Sequence, residues 1–250
     1  NMTLQSNEFL KETPMLDFNH TEIQSLINSR NWKALSEYDA IGEIYSFVRD
    51  EILFGYNADD RLSASQVLTD GYGQCNTKGT LLMALLRAVG IPTRFHGFTI
   101  YNELQRGAIP NYLIFFAPKR IIHSWVEVYT NNRWINLEGY IIDKEYLDKI
   151  QSSYSSQCDE FSGYAIATKC LAQPEIDWEG VDTYIQSEGI ADDYGQFNQP
   201  DEFYAKYGSN LSGFKKVLYK YLLRHLINSN VKNIRQNGIS RSETESFKTT

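Results

Sequence analysis

An α+β fold is predicted from three features of the chain. A helical run, Leu81-Leu82-Met83-Ala84-Leu85-Leu86-Arg87-Ala88-Val89, stops at Gly90 with Pro92 just beyond, which is ordinary C-terminal punctuation. Three strand-like segments follow it, Thr93 to Tyr101, Ile121 to Tyr129 and Arg133 to Glu138. Asn131-Asn132 separates the last two, a dipeptide that accepts positive φ and so makes a tight hairpin. A helix followed by an antiparallel sheet is the α+β pattern.

The N-terminal residues 1–36 read as an extended arm with Pro14, followed by a short helix from Asn19 to Ile27. Ser36 and Asp39 resemble a capping box. They open a helix whose Ile41, Ile44, Tyr45, Val48 and Ile52 share one face. Asp59 to Thr69 reads as a loop with at most a short helix. The core is expected over residues 37–145. From about residue 144 the chain turns acidic, aromatic and irregular up to Tyr207, and residues 146–235 are expected to form an extension packed on the core. Its last helix runs from about Leu211 to Ile227, with Leu211, Phe214, Leu218, Tyr221, Leu222 and Leu226 as the side that docks on the core. Residues 236–250 read as a polar tail, part of a stretch from Arg235 that is expected to fray.

Composition narrows the function. Hydrophobic residues make up 42% of the 250-residue chain, enough for a sizeable core. The net charge of −7 argues against nucleic acid as a ligand, because phosphate binding needs a basic excess. The run from Leu81 to Ile91 is interrupted by Arg87 and too short to span a bilayer, so no membrane partner is expected. The N-terminus has no basic segment followed by an apolar one, so no secretory signal is expected. Cys75, Cys158 and Cys170 form no Cys-x-x-Cys pair, and His20, His96, His123 and His225 show no ligand spacing. No metal and no cofactor are therefore predicted. An odd, low cysteine count suits a reducing, cytoplasmic setting, while leaving open a disulfide between Cys158 and Cys170.

Cys75 carries the chemistry. Gly71-Tyr72-Gly73-Gln74 delivers it to a helix N-terminus, where first-turn N–H groups and the helix dipole favour thiolate. A helical projection places it on the side of Leu82, Leu86 and Val89, pointing inward. A nucleophilic thiol needs a histidine and a group that orients the histidine. In Ile122-His123-Ser124-Trp125-Val126-Glu127-Val128, His123, Trp125 and Glu127 share one face. A two-residue loop at Asn131-Asn132 pairs position i with 263 − i, so Val128 faces Ile135 and Val126 faces Leu137. On that register Trp125 faces Glu138, His123 faces Tyr140, and Glu138 is the diagonal neighbour of His123. Asp143 would fall on the opposite face. His96, on the strand after the helix with no flanking acid, is the rival base. His20 and His225 read as ordinary helix-borne histidines. Gln74 and Tyr72 are candidates for an oxyanion contact by adjacency to Cys75, and Trp125 and Trp134 for the cleft wall.

These motifs resemble the transglutaminase-like superfamily of thiol enzymes with a papain-like core. The resemblance is carried by Gly73-Gln74-Cys75, by Leu85 to Arg94, by His123 to Tyr129 and by Trp134-Ile135-Asn136-Leu137-Glu138, in the family's order. It implies that Cys75 is the nucleophile, His123 the base and Glu138 the third residue, where aspartate is usual. Asn76 stands where crosslinking transglutaminases carry tryptophan. The implied activity is cysteine peptidase or amide hydrolase chemistry on a peptide or other amide. Amine-accepting acyl transfer and an inactive binding module are the alternatives.

Overall fold

The structure is a computed structural model. It describes residues 8–154, 158–208 and 210–249. The N-terminal helix α1 (Thr21–Arg30) is capped by His20, whose Nδ1 accepts from the Glu22 N–H at 3.3 Å. Helix α2 (Glu37–Asp50) starts at Ser36, whose Oγ accepts from the Asp39 N–H at 3.1 Å. Its Ile41, Ile44, Tyr45 and Val48 are fully buried, with Ile52 just beyond. Strand β1 (Leu53–Phe54) pairs in parallel with β2 (Tyr72–Gly73), and helix α3 (Ala64–Asp70) lies between them. Helix α4 (Cys75–Ala88) is buried along nearly its whole length. It is a central helix, sandwiched between α2 and the sheet.

The main sheet has the order β5-β4-β3-β8 and is antiparallel throughout. Its strands are β3 (Thr93–Tyr101), β4 (Arg120–Thr130), β5 (Arg133–Leu137) and β8 (Ile190–Phe197). Between β3 and β4 lies a short helix, α5 (Asn111–Ile114). The hairpin register agrees with the sequence arithmetic: Thr130 pairs with Arg133, Val128 with Ile135 and Val126 with Leu137. Asn131 and Asn132 have φ of 50° and 61°, as a tight hairpin turn requires. The ladder ends at Leu137. The expected pairs Trp125–Glu138 and His123–Tyr140 do not form, because the Glu138 N–H turns away to the Thr183 carbonyl at 3.1 Å.

The segment from 144 to 207 is more regular than its composition suggests. It contains α6 (Lys144–Tyr154), the hairpin β6 (Phe161–Gly163) and β7 (Ile166–Thr168), edge strand β8, and α7 (Pro200–Tyr207). Strand β8 reads Ile-Ala-Asp-Asp-Tyr-Gly-Gln-Phe, a poor strand sequence. It is held by side chains: Thr99 and Arg120 bond Asp192, and His96 bonds Asp193. Gly97 of β3 leaves space that the Phe203 ring of α7 fills.

Two helical segments, α8 (Gly213–Leu218) and α9 (Arg224–Asn237), are joined by a π-helical turn at Tyr219–Leu223. Four of the six residues of the expected docking face turn outward, while Leu211 and Leu218 are half-buried. Phe214, Tyr221, Leu222 and Leu226 are exposed, while Tyr219, Leu223 and Ile227 pack inward. The π turn shifts which residues share a face, and a regular 3.6-residue projection cannot anticipate that. A further helix, α10 (Arg241–Lys248), starts at a Ser240–Glu243 capping box in the stretch expected to fray. Cys158 and Cys170 form a disulfide, so the odd cysteine count reflects one bridge and one free thiol, Cys75. The count therefore gives no argument for a reducing compartment.

One buried ion pair ties the C-terminal helix to the core. Arg235 donates to both carboxylate oxygens of Asp143, at 3.1 and 2.7 Å, and to the Phe54 carbonyl at 2.7 Å. Asp143 also accepts from the Phe54 and Tyr146 N–H groups. Burial works against the Asp143 charge, but Arg235 and these donors hold its pKa below the usual carboxylate range. Its stabilising contribution is present above the ordinary carboxylate pKa and is lost as pH falls below it. Asp143→Asn leaves the Arg235 charge buried without its partner. A loss of about 3–5 kcal/mol in denaturant unfolding is expected.

Candidate active site

The loop before α4 builds the N-terminus that presents Cys75. Gly71 ends α3 in the left-handed region with φ of 72°. Gly73 sits so close to Thr77 that an added Cβ would lie 2.6 Å from Oγ1. Gln74 caps α4: its Oε1 accepts from the Asn76 N–H at 2.7 Å, and its own N–H donates to Thr77 Oγ1 at 3.0 Å. Its Nε2 donates to Asp60 Oδ1 at 2.6 Å. These bonds settle which end of the Gln74 amide faces the thiol. Oxygen faces it, accepting from Cys75 Sγ at 3.1 Å.

The first turn is then fastened to its surroundings. Asn76 Nδ2 donates to the Ile122 carbonyl at 3.2 Å, and Ser124 Oγ donates to Asn76 Oδ1 at 2.8 Å. Tyr140 Oη donates to the Cys75 carbonyl at 2.9 Å. Gly79 makes room for that phenol, since a Cβ there would come within 2.6 Å of it. Lys78 is fully buried, donates to the Arg49 and Ile141 carbonyls, and has its pKa pulled by burial down to about 7. Asn76 and Tyr140 were not singled out as site residues from the sequence. A glycine inside an apolar helix was the available signal for Tyr140, because it marks close approach.

His123 and Glu138 are both fully buried, and His123 Nε2 lies 2.7 Å from Glu138 Oε2. The second carboxylate oxygen accepts from the Ile185 and Gln186 N–H groups at 2.7 and 2.6 Å. With Nε2 engaged, Nδ1 is the ring nitrogen left without a partner of good hydrogen-bond geometry. Burial pulls the imidazole pKa down. The nearby Cys75 sulfur and the Glu138 carboxylate outweigh burial and push it up to about 10.

The remaining sequence candidates lie elsewhere. Tyr72 Oη accepts from Arg224 at 2.8 Å. Trp134 packs on Phe9 and Tyr129, with the Arg94 guanidinium 4.2 Å from its ring centre. Trp125 is buried against His96, Phe98 and Tyr184. None of these three lines the cavity at Cys75. His96 does have acid neighbours: Asp193 lies 2.7 Å from Nε2 and Glu127 3.5 Å from Nδ1. Strand pairing supplied them from β4 and β8. His225 is exposed beside Arg224.

Cys75 opens into a cavity of about 130 Å³. Its wall is mostly apolar and includes Ile100, Ile109, Leu113 and Ile122, with Leu223 and Ile227 from the C-terminal helix. Asp59 and Asp60 border it. Among the described residues, no three His, Cys, Asp or Glu side chains converge as metal ligands.

Because the folded pKa of His123 lies above the ordinary histidine value, its protonation stabilises the fold. That contribution is complete below about pH 6.5 and is lost as pH rises to about 10. In an NMR titration of the four histidines, one is expected to stay protonated at pH 8 in the wild type. In Cys75→Ala its pKa should fall. Four ordinary titrations near neutral pH in the wild type would rule out the coupling.

The transglutaminase-like superfamily model matches residues 27–139, a span that contains Cys75, His123 and Glu138. No curated protein gives a significant match. Among solved structures, a candidate cysteine protease from Cytophaga hutchinsonii aligns at 14% identity with a TM-score of 0.45. That alignment covers 78% of this chain and 47% of the other. Red sea bream transglutaminase aligns at 13% identity with a TM-score of 0.33, over 94% of this chain and 41% of the other. The chain thus spans less than half the length of each structure. The similarity to the transglutaminase-like superfamily core thus lies in residues 27–139.

Proposed function

We propose that this protein is a thiol-dependent amide hydrolase, a cysteine peptidase by reaction type, that works through a covalent acyl-enzyme. The observation that carries this reading is the buried His123–Glu138 pair at 2.7 Å, which leaves Nδ1 as the free ring nitrogen while Cys75 acts on the imidazole charge. Glu138 holds the ring tautomer and orientation, and His123 takes the Cys75 proton from its contact with Gln74 Oε1 to form an imidazolium–thiolate pair. Sulfur attacks the amide carbonyl. The Cys75 N–H, a first-turn donor the helix cannot satisfy internally, meets the oxyanion. The C–N bond breaks, and the imidazolium gives its proton to the leaving amine. The neutral imidazole then takes a proton from water, which attacks the thioester and releases the acid.

Gln74 does not serve as the second oxyanion donor in this scheme, because it turns its Oε1, an acceptor, to the thiol and its Nε2 to Asp60. We favour hydrolysis over transfer to an amine because the Asn76 side chain, which lines the cavity beside Cys75, is tied to the Ile122 carbonyl and Ser124 Oγ and offers no aromatic platform for a second substrate.

A peptide mixture incubated with a primary amine and read by mass spectrometry tests the reaction type. Cleaved or deamidated products, absent with Cys75→Ala, are expected. Amine adducts in their place would move the assignment to acyl transfer. Iodoacetamide labelling of Cys75 no faster than that of a free thiol would remove the catalytic reading and leave a binding module. Glu138→Gln keeps the side chain's size but not its charge. It should lower kcat/KM by roughly 10²- to 10⁴-fold.

A further inference from the structure

The cavity at Cys75 has a shape and chemistry of its own. Its 130 Å³ is close to the roughly 150 Å³ apolar cavities that hold a benzene ring. A single side chain fits within it. The wall is largely aliphatic: Ile109 and, from α5, Leu113 pack with Leu223 and Ile227 of the later helical segments to form one part of it.

The carboxylates at its edge already accept hydrogen bonds within the protein. Asp59 is 2.8 Å from Lys216 and also pairs with Arg61. Asp60 accepts from Gln74 at 2.6 Å and from Asn210 at 3.3 Å. A charged occupant would have to shed its water against a mostly apolar wall. One polar atom of the wall is not matched. Gln186 is 2% exposed, its Nε2 donates to the Ala165 carbonyl at 2.7 Å, and its Oε1 has no partner. A buried acceptor in that state calls for a donor from the occupant.

Which part of the substrate sits there follows from the chemistry. An amine leaving group must escape before water can enter. The acyl residue stays attached to sulfur through both steps. A mostly apolar cavity that contains the thiol therefore suits the acyl residue.

We propose that the chamber holds the side chain of the substrate's acyl residue, that this side chain is neutral and either aliphatic or a single ring, and that Gln186 Oε1 accepts the N–H of that residue. The inference rests on Cys75 being the attacking thiol. The C-terminal helix, outside the matched core, is then a specificity element.

N-acetyl amino acid chloromethyl ketones test it without turnover. In each reaction the Cys75 sulfur forms a bond to the methylene carbon, the C–Cl bond breaks and chloride leaves. The leucine and phenylalanine probes should label Cys75 about tenfold or more faster than the glycine probe, and with saturation. The aspartate and lysine probes should gain nothing over glycine. N-methylation of the leucine probe should cost a further fewfold, the size of one hydrogen bond.

Equal rates for leucine and glycine, or faster labelling by a charged probe, would overturn the pocket. No penalty for N-methylation would remove Gln186 from it. The ratio among probes reads the pocket. The absolute rate against iodoacetamide reads activation of the thiol, so the two ideas fail separately. Ile227→Trp should pull the leucine-to-glycine ratio toward one. If that variant does not fold, Ile227→Ala should shift preference from leucine toward phenylalanine, and an unchanged order would count against the proposal.

Discussion

A carboxylate with no contact to solvent must find all its partners inside the protein, and Glu138 is in that position. One oxygen meets His123 Nε2, and the other takes two backbone N–H groups from Ile185 and Gln186. Removing any of them would leave a buried charge short of donors, at a cost of about 1–3 kcal/mol or more. The requirement reaches far along the chain. It fixes the segment around Thr183 to Gln186 over the end of the hairpin, where Thr183 also takes the Glu138 and Gly139 N–H groups on its Oγ1. The imidazole inherits its orientation from this arrangement.

The same requirement explains why the matched core does not complete the site by itself. The match stops at residue 139, one past Glu138. The donors that hold Glu138 come from residues 185 and 186, and part of the cavity wall from 223 and 227. The later segments are tied back by buried contacts: Arg235 on Asp143 and Phe54, and the Gln186 side chain on Ala165. One hydrophobic cluster runs from Met15 to Ile234 without a break between the two regions. The chemistry and its housing are folded together.

What could be read from residues alone follows local periodicity. The hairpin sum held for every pair that forms, because a two-residue loop sets register and a slip would turn the apolar side chains to the wrong face. The helix starts at Ser36 and Gln74-Cys75 were visible because capping and glycine turns are local. Strand β8 was not legible, because Asp192 and Asp193 become strand-compatible only beside Thr99, Arg120 and His96. For the same reason His96 looked free of acids: Glu127 lies across the β3–β4 ladder and Asp193 across β3–β8. Trp134 was misplaced because its position on β5 says which face it takes and nothing of how far along the sheet the thiol lies.

His96 and His123 show what separates a histidine–acid pair from a candidate catalytic one. Both imidazoles are buried, both have a carboxylate at 2.7 Å, and in both the acids oppose the effect of burial. Glu127 also lies 3.5 Å from His96 Nδ1 and is held by Arg94 at 3.0 Å, so that ring has an acid on each side and braces the sheet. His123 has an acid on one side only, and the Cys75 sulfur at the start of a buried helix acts on its charge. Position relative to α4, more than the pair itself, distinguishes the two. Because Asn76 bonds β4 at Ile122 and Ser124, on either side of His123, any sequence change that slides α4 along the sheet separates sulfur from imidazole even with the His123–Glu138 bond intact. The Asn76 side chain thereby couples helix position to the thiol–imidazole distance, a task for which its two-ended amide suits it better than a larger apolar residue would.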